Sequence, residues 1–456
     1  MRALRIALVV ATSACGAPPS PARPVARTGV ATAPVAAPVA KPAYELPDTP
    51  AGRQLAWMLG VLDARHGEVS RDEVEAHFDP SFLAKVPAIQ VIAIASQLAP
   101  DFAGAHVVKV AGDGASLSAR IASPTARHDA TIAVGPSGAI VGLLFRPVLA
   151  ESYDEVAALV AKLAPKVSLL VAELDGTTCK PLHAIAETQE LAIASTFKLY
   201  ILLALADQVM RGKLAWDQPI AVRDDWKSLP SGITQNDPAG TKLTIRTLAD
   251  RMISISDNTA TDHLLYTVGR KNVEAALHTA GHAQPLLDTP MLSTRELFLF
   301  RLGHTPEEVA KYVALRAAPR RAYLDGPLAK RAVTMDGAAA WKTARNIEEL
   351  QWFASTMDLC GAMARLRERA AKVPAVLDVL AINPGLPLSP ATWKYIGYKG
   401  GSEPGVLAGT WLLRRDDDKT FVVSLVANDP AGPEPDEKRV FGLANSVIEL
   451  LAHEAR

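Results

Sequence analysis

Ser195 and Lys198 open a long apolar run, Ile193-Ala194-Ser195-Thr196-Phe197-Lys198-Leu199-Tyr200, which continues through Ile201 to Ala206 and ends near Gly212. On a helix, positions i and i+3 lie one above the other. A hydroxyl is a weak nucleophile at neutral pH. An amine held in apolar surroundings gives up its own proton readily and can take one from a hydroxyl. A helix start adds unpaired N–H groups and the positive end of the dipole. This chemistry suits attack on a carbonyl. Alone, however, S-x-x-K is a common string, and a capping serine beside a snorkelling lysine is its ordinary meaning. A helix this apolar on every side must lie inside a large core.

Two further strings follow. Ser256-Asp257-Asn258 begins about 60 residues on, and Lys399-Gly400-Gly401-Ser402 sits in a β-rich stretch near the end. Together, in this order, the three resemble the signature of the penicillin-recognising serine enzymes, class A β-lactamases in particular. The resemblance covers about residues 151–456. It implies an α+β fold in which an antiparallel sheet, made from both ends of the domain, packs on a helical block. The elements that would build it can be read: a helix over Tyr153 to Leu163, strands over Val167 to Glu173 and Pro181 to Ala186, strands Trp393 to Gly401, Val406 to Arg414 and Thr420 to Val426, and a closing helix from Glu437 to His453.

The resemblance assigns roles. Ser195 attacks and forms an acyl-enzyme, and Lys198 is its base, directly or through water. Ser256 passes a proton to the leaving group, and Lys399 keeps the site positive for a substrate carboxylate. Asn258 binds a substrate amide and steadies Lys198. Gly401 and Ser402 lie along the substrate strand, with the N–H groups of Ser195 and Ser402 as an oxyanion hole. Asp257 is expected to be structural. The expected partner is a small-molecule or cell-wall-derived substrate, with no cofactor and no metal.

The sequence departs from that family at three places. Gly400 stands where a Thr or Ser hydroxyl is usual, and Ser402, on the same strand face, could replace it. No E-x-x-L-N string lies between Asn258 and Lys399 to supply a deacylating glutamate. Glu296 is the nearest substitute, but Ser293-x-x-Glu296 reads as a capping box, and Asp288 is a weaker candidate. Finally, an extra segment from about Gly303 to Ala370 reads as an added helical cover, with Pro319 breaking any helix that reaches it and an amphipathic stretch over Ile347 to Phe353. These features predict acylation with weak β-lactamase turnover, or turnover of labile esters and amides. The alternatives are a sensor that stays acylated and a non-catalytic interaction module.

Upstream, helices over Ala51 to His66, after Ser70 (with Glu73 in a capping box) and over Ile89 to Ala99 precede four short strands between His106 and Phe145. This order is similar to the small cone-shaped domains of the nuclear-transport-factor/steroid-isomerase type, over residues 48–150. Asp101, Asp113 and His128 are scattered along it and predict no acid–base pair, so a structural or partner-binding role is expected. Before it, residues 16–47 are rich in Pro and Ala and bury too little to order themselves. Arg2 and Arg5, the apolar run from Ile6 to Ala11, and Thr12-Ser13-Ala14 before Cys15 have the layout of an export signal. Small residues running into Cys15 resemble a lipoprotein box, so a periplasmic or lipid-anchored bacterial protein is expected.

Composition narrows the rest. With 48 basic and 48 acidic residues in 456, no field draws the chain to nucleic acid. Of its 3 cysteines, Cys179 and Cys360 could pair in an exported protein, but the expectation is that they stay free. His278 and His282, split by Gly281, read as helix-end residues rather than metal ligands.

Overall fold

The computed structural model describes residues 44–332 and 341–454. The expected export signal, Cys15 and the Pro/Ala-rich stretch before Tyr44 lie outside them. The chain divides into two compact units, Met1–Leu149 and Ala150–Arg456.

In the first unit, helices Pro50–Leu62, Arg71–His77, Pro80–Leu83 and Ala88–Phe102 precede a four-stranded antiparallel meander ending at Pro147. Thr49 caps the first helix, and Ser70 with Glu73 forms a complete capping box on the second. Leu55, Leu59 and Leu62 pack with Phe78, Phe102 and the inward residues Leu117, Ile121 and Ile132. The sequence scatters Asp101 and His128, but the fold brings Asp101 Oδ2 within 3.7 Å of His128 Nε2. His128 is buried against the Phe102 ring, and burial lowers its pKa. Asp113 stays apart and accepts the Ala115 and Ser116 N–H groups in a turn.

The second unit carries a five-stranded antiparallel sheet in the order Trp393–Glu403, Val406–Arg415, Thr420–Asn428, Lys166–Asp175, Thr178–Ile185. The last three strands of the chain thus pair with the first two of the unit, and Thr420–Asn428 is buried throughout. The helix Glu437–His453 packs on one face. Against the other face lies the helical block, with the apolar helix Lys198–Met210 at its centre. Leu199, Ile201, Leu202, Leu203 and Leu205 are each wholly buried, and each contributes about 1.5–3 kcal/mol by burial.

Three expectations are overturned here. Cys179, on the strand Thr178–Ile185, is bonded to Cys360, on the helix Thr356–Ala370, across a sequence separation of 181 with Cα atoms 6.3 Å apart. Helix and strand face each other, which sequence distance hides. In the extra segment, helices Pro306–Val313 and Ala317–Tyr323 do form, but Ile347 to Phe353 is no helix. Asn346 takes a positive φ of 52° and opens a turn, and Phe353–Ala354 is a short strand paired with Leu191–Ala192. Pro319 breaks no helix. It sits in the first turn of the second one, where its missing N–H is not needed.

Candidate active site

The segment that leads to Ser195 is held from three sides. Leu191–Ala192 pairs with Phe353–Ala354. Asn428 clasps Ala192, its Oδ1 accepting from Ala192 N at 2.9 Å and its Nδ2 donating to Ala192 O at 3.0 Å. Ile193 N donates to Trp352 O, and the Trp352 ring stacks on Phe197 with centroids 3.7 Å apart. Ala194 takes a positive φ of 43°, and Ala194–Phe197 is a 3-10 turn that runs into the α-helix beginning at Lys198. In a 3-10 turn, residues i and i+3 eclipse. Ser195 is half-buried, and Lys198 lies fully buried behind it.

Ser256-Asp257-Asn258 meets this turn from the helical block. Asp257 caps the helix Asn258–Val268 through Oδ1. Its Oδ2 accepts from Ile233 N, Thr234 N and Thr234 Oγ1 at 2.7–2.8 Å. All its acceptor capacity is spent on backbone and cap, which is structural work. Gly232 lies so close that a Cβ there would fall 2.2 Å from the Asp257 carboxyl. This clamp holds Ser256 at a positive φ of 56°, with its side chain half-exposed.

Two buried amines converge on the Ser256 hydroxyl. Lys198 Nζ lies 3.0 Å from Ser256 Oγ, 2.7 Å from Ser256 O and 2.8 Å from Asn258 Oδ1. Lys399 Nζ lies 3.1 Å from the same Oγ. Asn258 Nδ2 donates to Leu229 O, which fixes the amide with its oxygen towards Lys198. Burial drives the Lys198 pKa well down and the neighbouring Lys399 charge adds to that, against Asp262 and Asp257. Burial alone lowers Lys399 to about 7. Near neutral pH, then, the pair does not carry two full charges. Ser195 Oγ has no hydrogen-bond partner among the described residues.

Lys399 reaches Ser256 from the edge strand, Trp393–Glu403. Gly401 packs directly on the Ser195 turn. A Cβ there would stand 2.4 Å from Ile193 O, 2.6 Å from Ser195 N and 2.7 Å from Thr196 N. Only glycine leaves the Ser195 N–H uncovered. Gly400 has a different neighbour. The place of its missing side chain is taken by the Tyr398 hydroxyl, 2.0 Å from where a Cβ would be, on a ring stacked against Trp411. Ser402 is exposed, and its hydroxyl lies against Glu434. Ser402, which the sequence offered as the replacement hydroxyl, lies with Tyr398 and Gly400 on one face of the strand, while Lys399 and Gly401 face the Ser195 turn and Ser256.

Both acidic substitutes are buried. Ser293 and Glu296 form a complete capping box, and Glu296 makes a two-pronged ion pair with Arg270, at 2.7 and 2.9 Å. Asp288 is buried beside the Phe353 strand and accepts from Phe353 N. Other neighbours that sequence reasoning did not single out are Asp262, which anchors Thr294 N and Arg295 N under the Asn258 helix, and Ser231, whose Oγ donates to Ser256 O at 2.7 Å. His278 is exposed on its helix. His282 is buried, with its two nitrogens on Phe353 O and Gln284 N.

Residues 151–334 match the family model described as Beta-lactamase enzyme family, and residues 46–140 match the one described as ORF 12 gene product N-terminal. The larger unit has a β-lactamase/transpeptidase-like fold. Similar solved structures include a β-lactamase from Sphaerobacter thermophilus (20% identity, 67% of this chain and 99% of that one, TM-score 0.46) and one from Francisella tularensis (16%, 66% and 99%, TM-score 0.46). A PBP-A mutant in acyl-enzyme complex with penicillin G is also similar (15%, 66% and 95%, TM-score 0.44). No curated protein matches the chain.

Proposed function

We propose that the larger unit is a serine hydrolase that forms an acyl-enzyme at Ser195 on β-lactam, amide or ester substrates, with slow release of a β-lactam-derived acyl group. The observation that carries this reading is the convergence of two buried, charge-poor lysines on one half-exposed hydroxyl, Ser256, beside the Ser195 turn.

The hydrogen bonds direct the proton. Ser256 O and Asn258 Oδ1 can only accept, so a neutral Lys198 gives them its two N–H bonds. Its lone pair then faces Ser256 Oγ. With Lys399 donating to that oxygen, the Ser256 proton is free to move to Lys198. In this reading, Ser195 Oγ attacks the carbonyl as its proton passes to Ser256, whose own proton passes to Lys198. The carbonyl π bond opens, and the oxyanion meets the N–H groups of Ser195 and Ser402. The proton then returns through Ser256 to the departing nitrogen or oxygen as that bond breaks. Asn258 and Ser402 line the substrate path, and Lys399 attracts a carboxylate while it is charged.

A second reading, a sensor that is acylated and stays so, is favoured by Glu296, which is bound to Arg270 and to its helix cap rather than poised over the acyl group. Intact-mass measurement after adding a penicillin tests both. A transient adduct with product release supports the hydrolase, and a lasting adduct supports the sensor. No adduct, or an adduct that survives Ser195→Ala, overturns the Ser195 chemistry. We also read residues 48–150 as a nuclear-transport-factor-like cone with a structural or partner-binding role, and residues 1–15 as an export signal with Cys15 as a lipid-anchor site in the bacterial envelope. Mass analysis of the membrane fraction, with and without Cys15→Ser, tests the anchor.

A further inference from the structure

The short ladder that leads to Ser195 ends on two acids that the acyl chemistry does not use. Phe353 pairs with Ala192 and Ala354 with Leu191, so the next residues out, Glu190 and Ser355, face each other where the ladder stops. Ser355 caps the helix Thr356–Ala370, and Asp358 completes that capping box. A carboxylate oxygen of Glu190, one of Asp358 and a ring nitrogen of His282 all lie within 4.8 Å of one another. The two carboxyl groups are hydrogen-bonded to each other. Ionised carboxylates only accept, so this bond needs a proton between them.

The surrounding bonds show which acid carries it. Asp358 is well supplied with donors. Its Oδ1 accepts from Ala283 N at 2.8 Å, and its Oδ2 accepts from Ser355 N at 2.9 Å and from Ser355 Oγ at 2.7 Å. Both Glu190 oxygens are buried and receive no such bond. The nearest N–H, that of Ser355, is already given to Asp358. Glu190 is therefore the neutral acid, and it donates to Asp358. Nothing close by would offset a second charge. His282 accepts from Gln284 N at Nδ1 and donates to Phe353 O at Nε2, as an uncharged ring does. Asp288, with Oδ2 3.6 Å from that Nε2, faces the pair from the segment before the Ser293 cap, and Tyr200 faces it from the Lys198 helix. Among the described residues, no lysine or arginine pairs with Glu190, Asp288 or Asp358. Burial, and then Asp358, push the Glu190 carboxyl up to about 8.

We propose that Glu190 and Asp358 form a proton-held clasp on the Ser195 turn. While Glu190 keeps its proton, the end of the ladder is closed and the turn beyond Ala192 is set. When the proton passes to solvent, two like charges face each other in a buried place, and the ladder end opens. Ser195 lies five residues beyond Glu190 along the same segment, so the opening reaches the hydroxyl directly. The clasp stands on its own, whereas its effect on acylation rests on the Ser195 chemistry proposed above.

Glu190→Gln tests it in the full chain, because Gln still offers Asp358 a donor but cannot titrate. With Glu190 at about 8 in the folded chain and about 4.3 unfolded, the folded chain binds more protons between these limits. Its contribution to stability is therefore whole below about pH 4.3 and is lost as pH rises to about 8. From about pH 5 to about pH 9, the wild-type Tm should fall by about 3–5 °C more than that of the variant. Acylation by a penicillin at about pH 9 should be about tenfold slower than at neutral pH in the wild type, beyond any change in the variant, since about a tenth of Glu190 keeps its proton there. Should the variant fail to fold, backbone hydrogen exchange over residues 190–194 of the wild type decides. It should quicken over this range by about tenfold beyond base catalysis itself. Parallel Tm profiles for the two proteins, or exchange that follows base catalysis alone, would overturn the clasp. If the Tm profiles part but neither protein is acylated at any pH, the clasp holds and the Ser195 chemistry fails.

Discussion

Glu296→Gln separates the structural account of this acid from a catalytic one. Gln keeps the capping box, since either side chain can accept the Ser293 N–H. What it removes is the charge opposite Arg270, in a pair whose side chains are only 10% and 9% exposed. Burial by itself would lower the Arg270 pKa, and the Glu296 charge and hydrogen bonds more than reverse that. Removing one partner of such a pair costs about 3–5 kcal/mol, because the other charge stays buried. For a unit of this size that corresponds to a Tm lower by about 5–8 °C. Deacylation should barely respond. Pre-acylating wild type and variant with a penicillin and following loss of the adduct by intact mass should give rates within about threefold of each other, far from the ~10²–10⁴ that a general base supplies. A hundredfold slower release with an unchanged Tm would show that Glu296 is the water-activating base and that the arrangement around Arg270 has been misread.

Other outcomes follow from the same geometry. Gly401→Ala places a methyl group against three backbone atoms that cannot step aside, so acylation should fall by about 100-fold or more for a stability cost of about 1–3 kcal/mol; acylation within threefold of wild type would refute the close approach. Because burial holds Lys399 at about 7, below its unfolded value of about 10.4, the unfolded chain binds more protons between these limits. Its contribution to stability should therefore rise with pH across that window and be least below about pH 7. Over the same rise the Lys399 charge is lost, so KM for carboxylate-bearing substrates should increase, and a flat KM profile would remove its role in attracting them. Reducing Cys179–Cys360 should lower stability by up to about 5 kcal/mol, given the long loop it closes, and identical melts with and without a thiol reductant would argue against the bond.

The parts of this fold that could be read in the sequence are those set by neighbours along the chain. Ser70 with Glu73 and Ser293 with Glu296 were legible as capping boxes because both partners of each lie within one turn. The five sheet strands were legible from β-rich runs between turn residues. The convergence of Lys198, Ser256, Asn258 and Lys399 was legible only because three separated strings were weighed together. No single string predicts that both amines point at Ser256 rather than at Ser195. What escaped was decided by packing at long range. Ile347 to Phe353 has apolar residues at helix-like spacing, but the Trp352 ring finds Phe197 and Ile193 finds the Trp352 carbonyl. Those contacts, available only once the Ser195 turn exists, hold the segment as a turn that ends in the two-residue strand Phe353–Ala354. The same stretch presents the Phe353 backbone to His282 and Asp288, residues that look unrelated to it in the chain. The misread amphipathic stretch is therefore the piece that locks the Ser195 turn. Trp352→Ala, far from any substrate in the sequence, should loosen that turn and slow acylation more than it lowers Tm, whereas a stability loss without a change in acylation rate would make Trp352 an ordinary core residue.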